Sequence, residues 1–261
     1  MRMRGIIALT CIMVATQTAS GEAQRTRDRA RLVFSVSGAY IEGKGLWSVP
    51  NQPILGATPA DTLVLGRSIK STIGASFSGT YFPGETFGLT ADASLIGLGY
   101  DDRCEVAALS TASAAQICNS IDNQDRSAAA ASLSVGGEVR VLSREFFSPF
   151  ARASAGLLFS NQSSTAVGGS DEQGAFLQIY EDDKQARVSP TFALGVGTTI
   201  ALARAYHLRW EVRDNIVGVQ RVTGAAPGQG FIPPRETIYK HLISLLVGVN
   251  VILERERGRR Y

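Results

Sequence analysis

Nine charged side chains carry most of the chemical interest of this chain: Lys70, Asp92, Glu138, Arg140, Arg152, Arg209, Glu211, Arg213 and Lys240. Most alternate with apolar neighbours, as in Leu208-Arg209-Trp210-Glu211-Val212-Arg213. On an extended chain, alternation sends the charges to one face and the apolar groups to the other. The set holds six cations and three carboxylates on one face. If that face is enclosed, an unpaired charge is costly, so the groups must pair. Glu138 and Glu211 are the expected hubs for neighbouring arginines, and waters would satisfy the remaining donors. Two chemistries stay open: a structural plug tying strands together, or an anion-preferring path suggested by the cationic excess.

Catalytic chemistry finds little support. The chain has two histidines, His207 and His241. The segment Tyr239-Lys240-His241-Leu242-Ile243-Ser244 suggests a hydrolase, but His241 and Ser244 are three residues apart and point to opposite faces of a strand. A nucleophile and its base need hydrogen-bond reach, so no enzyme is expected. There is no phosphate-binding glycine loop and no metal-ligand cluster, so neither a cofactor nor a metal is expected. Gly136-Gly137 and Gly195-Val196-Gly197 read as tight strand packing. Cys104 and Cys118 share one predicted loop without histidine. In an exported chain they are expected to form a loop-closing disulfide, the alternative being two free thiols.

The elements that must position these groups are strands. Eight are predicted, near 32–41, 67–81, 86–100, 127–142, 148–161, 187–202, 206–218 and 237–253. In the second, Ile69, Ile73, Ala75, Phe77 and Tyr81 oppose Ser68, Lys70, Thr72, Ser76, Ser78 and Thr80. Strands one and four to eight repeat the split, and the third keeps it until it blurs after Ile96. No helix is expected to cover the apolar faces. The simplest solution is an all-β, eight-stranded antiparallel up-and-down barrel, with lipid outside and polar side chains inside. Its connections alternate. Residues 82–85, 143–147 and 203–205 are short turns, whereas 42–66, 101–126, 162–186 and 219–236 are long and rich in Gly, Ser, Asn, Asp and Pro. Short periplasmic turns and long external loops mark outer-membrane barrels. Eight strands leave an interior that side chains nearly fill, which favours the plug.

The flanks agree with export. Met1-Arg2-Met3-Arg4 and the apolar run from Gly5 to Ala15 read as a signal peptide, cut after Ala23, with Gly21 and Ala23 at the small-residue positions. The run is too short for a spanning helix, and Ala8-Leu9-Thr10 before Cys11 fits a lipobox poorly. The expected division is leader 1–23, basic periplasmic segment 24–31, barrel 32–253 and charged periplasmic tail 254–261. The net charge of +3 is small, and an exported barrel is no candidate for nucleic acid.

Taken with the leader and the loop alternation, strand phrases such as Leu208–Asn215 make the chain similar to the OmpA-type transmembrane domain and the wider outer-membrane β-barrel family. The resemblance covers about residues 31–253. In the last strand, Leu246, Gly248, Val251 and Leu253 loosely fit the signal read by the barrel-assembly machinery, though Leu253 stands where an aromatic is usual. No peptidoglycan-binding domain is expected after the barrel. The resemblance implies an outer-membrane location and contact with outer-membrane lipids and lipopolysaccharide. It also implies insertion by the assembly machinery, and an extracellular ligand, if any, held by the long loops. A structural or surface-interaction role is expected, with a small-solute channel as the alternative and a lipid-modifying enzyme as a minor one.

Overall fold

The computed structural model describes residues 29–53, 62–108, 112–122, 126–142, 146–160, 167–170, 176–180, 187–203, 205–225 and 234–256. In chain order these form β1 (Arg29–Ile41), β2 (Lys44–Pro53), β3 (Thr62–Ile69), β4 (Thr72–Tyr81), β5 (Phe87–Ala108), α1 (Ala112–Asp122), β6 (Arg126–Arg140), β7 (Phe147–Ser160), β8 (Val167–Ser170), β9 (Phe176–Tyr180), β10 (Arg187–Ala201), β11 (Tyr206–Val222) and β12 (Arg235–Glu256). The eight strands β1, β4, β5, β6, β7, β10, β11 and β12 pair each with the next, all antiparallel. The ring closes where β1 meets β12, with Val36 opposite Val249. Closure leaves no free sheet edge in the lipid zone, which is the condition for crossing a bilayer with strands.

Parity orders the lower barrel. Phe34, Val36, Phe77, Leu89, Val135, Leu194, Trp210 and Val247 are exposed on the outside, while Ser35, Ser37, Ser76, Ser78, Thr90, Asp92 and Glu138 are buried inside. Buried hydroxyls bond across strands, Ser35 to Asn250 at 2.7 Å and Thr80 to Thr90 at 3.2 Å. At the periplasmic end the Phe82 ring turns inward and is buried. Its N–H donates to the Arg31 carbonyl at 2.7 Å.

Above the barrel the structure departs from expectation. Residues 42–66 and 101–126 are not plain loops. β1 continues into β2, β3 precedes β4, and β5 runs 22 residues. β2, β3 and the upper half of β5 thus form a three-stranded sheet standing on the barrel. The helix α1 occupies the second expected loop, on the inward side, and leaves the outward apolar faces of the barrel exposed. Within the third expected loop β8 and β9 form a separate hairpin, and the last loop is shortened by the extension of β11 to Val222 and the start of β12 at Arg235.

The second predicted strand is also broken. Ile69 faces Tyr100 and Gly74 faces Ile96, so residues 70–73 oppose residues 97–99, four against three. This one-residue bulge reverses the facing of everything before it. Ile69, expected on the lipid side, is buried inside.

Candidate functional site: a charged layer under an apolar roof

The inward faces build two layers. In the lower one Arg209 on β11 reaches across the lumen to Glu138 on β6 at 3.0 Å and to Glu211 on its own strand at 2.9 Å. The Arg213 Nε donates to the other Glu211 oxygen at 2.7 Å. Arg152 on β7 binds the Asp92 carboxylate on β5 and lies 3.7 Å from Glu211. All six residues are buried, Glu211 at 0% exposure. Three arginines and three carboxylates cancel, so this layer is neutral. Small residues make the room. Gly195 sits opposite Arg213 and Arg152 on the two flanking strands, and a side chain there would collide with the Glu211 carboxylate. The Arg209 guanidinium also lies over the Phe150 ring, 3.9 Å from its centre. That contact supports its position from a second side.

The remaining expected lumen residues lie elsewhere. Arg140 is at the periplasmic floor, where it donates to the carbonyls of Glu85 at 2.9 Å and Ala30 at 2.7 Å. Its guanidinium covers the Phe82 ring at 3.5 Å. Lys70 is not a lumen residue: the bulge turns it outward, where its ammonium pairs with Asp101 at 2.9 Å in a partly exposed bridge. Lys240 faces inward, half-buried, but above the charged layer and opposite Val217. The cationic excess read from the sequence therefore dissolves into a balanced core and peripheral cations.

The upper layer is apolar. Ile41, Ile69, Ile96, Tyr100, Ala130, Leu158, Val217 and Leu242 face inward above the charges and join Trp47, Val49, Leu63 and Leu65 of β2 and β3 in one buried cluster. α1 completes it with Ala114, Ile117, Cys118 and Ile121. Those positions follow the helical spacing of one face. Sequence reasoning passed over this signal because the segment is short and rich in Ala and Ser. Cys104 on β5 and Cys118 on α1 face each other as a pair with Cα atoms 4.9 Å apart. An ion pair inside this layer, Arg67 with Asp102, is a two-pronged fork at 2.5 and 2.9 Å. The Arg67 guanidinium sits between the Trp47 and Tyr100 rings, 5.6 and 5.4 Å from their centres. Burial pushes the Tyr100 hydroxyl above the ordinary phenol range, and the Arg67 charge draws it partly back.

A further polar pair was not anticipated. His241 and Asp214 lie on neighbouring strands of the outer face, with Nδ1 2.6 Å from Oδ2. Ser244 points inward and bonds Asn215, so His241 and Ser244 are on opposite sides of the wall. Among the described residues no group of three or more metal-ligating side chains occurs.

Water cannot surround the belt of exposed Phe, Leu, Val, Trp and Tyr side chains cheaply, whereas hydrocarbon can. A closed eight-stranded wall with that belt and a polar interior is an outer-membrane β-barrel. Among solved structures the chain is similar to OprG from Pseudomonas aeruginosa, with 8% identity, a TM-score of 0.52 and coverage of 87% of this chain and 97% of that one. Weaker overlaps are with Neisserial surface protein A (13% identity, 85% and 97% covered, TM-score 0.44) and Ail of Yersinia pestis (11% identity, 87% and 99% covered, TM-score 0.41). No family model matches the sequence, and no curated protein matches it.

Proposed function

We propose that this protein is a non-enzymatic outer-membrane barrel whose lumen is closed and whose work is done by its extracellular part. The observation that carries this reading is the neutral Arg–carboxylate layer of Asp92, Glu138, Arg152, Arg209, Glu211 and Arg213, roofed by an apolar layer. A solute path needs continuous polar lining. Here a dry layer sits directly over a saturated charge network, and both work against ion passage. The lobe of β2, β3, the upper half of β5 and α1 is packed on one apolar cluster, and loops on a packed scaffold are the usual carriers of recognition. In this reading the chain is exported with loss of residues 1–23. Segments 24–31 and 254–261 lie in the periplasm, and the loops meet an extracellular ligand. The wall contacts outer-membrane lipid and lipopolysaccharide after insertion by the assembly machinery.

Planar-bilayer recording of the refolded full chain is the test. The expected trace shows no steady open state. Stepwise conductance with preference for anions would replace this reading with the solute-path one.

A further inference from the structure

We propose that α1 is a one-way cover: the Cys104–Cys118 bond forms before α1 docks, and docking then shuts the extracellular mouth and hides the bond. The inference rests on the extracellular placement of the lobe argued above. The buried face of α1 packs in the same cluster as Ile96, Tyr100, Ala130, Leu158, Val217 and Leu242. Those six residues line the mouth from five different barrel strands, β5, β6, β7, β11 and β12, and α1 itself packs mainly on β5, where Cys104 faces inward, and on β8 of the third connection, so it sits within the rim over that apolar layer.

Charge lends this helix no support at either end among the described residues. It has 11 residues, with no acidic residue in its first turn and no basic residue in its last. Isolated helices of that length are marginal in water. Asp122 stands at its last position, the wrong end for a carboxylate beside the helix dipole. Its carboxylate instead accepts the Cys104 N–H at 2.7 Å. Its tertiary supports include its apolar face, its packing on β5 and β8, the Asp122 bond and the cysteine pair. Without the covalent tie the docked helix must be recruited from a free chain, and the apolar mouth opens to water.

Burial sets the order of events. Cys104 and Cys118 are 6% and 5% exposed once α1 is seated. Thiol–disulfide exchange needs a thiolate to reach a sulfur, so the pair must be oxidised while α1 is undocked. Two thiols lose two protons and two electrons, and a disulfide-bearing oxidant of the export compartment leaves as a dithiol. Docking then protects the product from external thiols.

The test refolds the full chain in the Trp210→Phe background, which leaves Trp47 of the chain's two tryptophans as reporter of the apolar layer. Four samples are compared: oxidised, refolded in dithiothreitol, oxidised and then given dithiothreitol, and Cys104→Ser/Cys118→Ser. Trp47 emission, acrylamide quenching and iodoacetamide labelling read by mass spectrometry are the readouts, and heat-modifiable gel mobility confirms the barrel. The expected result is a red shift and severalfold stronger quenching in the second and fourth samples, with barrel mobility unchanged. The third sample should match the first, with no label at Cys104 or Cys118. Labelling of Cys104 or Cys118 in the third sample while barrel mobility persists, or Trp47 signals indifferent to the bond, would overturn the proposal. Should the cysteine-free chain lose barrel mobility, Ile117→Asp with the bond intact gives the same decision. A red shift supports the cover, and its absence refutes it. Bilayer conductance bears only on the closed lumen, so failure of that reading is recognised separately.

Discussion

The lower lumen and the upper lobe use the same strands and the same inward parity for opposite purposes. On β5, Asp92 faces in while Leu89 and Leu95 face out; a few residues on, Ile96, Tyr100 and Cys104 face in while Asp101, Arg103 and Glu105 face out. The strand does not change its geometry. What changes is the medium outside, from hydrocarbon to water. In lipid the apolar side chains go out and polar groups must saturate one another inside; in water the preference returns to that of a soluble protein, with an apolar core. The lower layer is thus held by directed ion pairs that tolerate no missing member. The upper layer is held by undirected contact, which yields by degrees.

Four substitutions break or sharpen this contrast. Glu211→Gln removes the charge of the hub shared by Arg209, Arg213 and Arg152 and leaves three guanidiniums against the two carboxylates of Asp92 and Glu138 in a dry lumen. The expected loss is about 3–5 kcal/mol, read as a lower urea midpoint for heat-modifiable mobility, with Trp47 emission unmoved. Unchanged stability with altered ion selectivity would show that the layer is a path and no plug. Ile121→Ala, in a fully buried position of α1, should cost about 2–3 kcal/mol. Its effect should be confined to the lobe, shifting Trp47 emission before barrel mobility is lost. Next comes Gly195→Val, which pushes the Glu211 carboxylate aside and should cost about 1–3 kcal/mol by overpacking; suppression by shortening Glu211 to Asp would tie the cost to that contact. Lys70→Ala removes a partly exposed bridge to Asp101 and should cost less than about 1 kcal/mol in the same titration. A large effect there would mean that Lys70 does face the lumen.

The closed barrel was legible in the sequence because each spanning strand alternates against one constant surrounding. The blur after Ile96 marked the point where that surrounding ends and the pattern inverts, and a reader assuming lipid throughout ends the strand near 100, short of Ala108. β2 escaped for a related reason. It carries Pro50, Pro53 and register shifts against β3, with Asn51 at positive φ, so no period survives. The residue types of the charged layer were readable, but their partners were not. Facing across a barrel depends on every intervening register, and one bulge was enough to move Lys70 outside. The outer pair of Asp214 and His241 required knowing that two residues 27 positions apart share neighbouring strands.

The odd residue between Ile69 and Gly74 also limits how this architecture can be rebuilt. Barrel and lobe are out of phase by one position on that strand and in phase on β5, so the two halves fit only as a matched set. A graft of the lobe onto a different barrel would have to carry the supernumerary residue with it. Trimming that residue as apparent slack would turn Arg67 and its apolar companions out to solvent and leave the platform inside out.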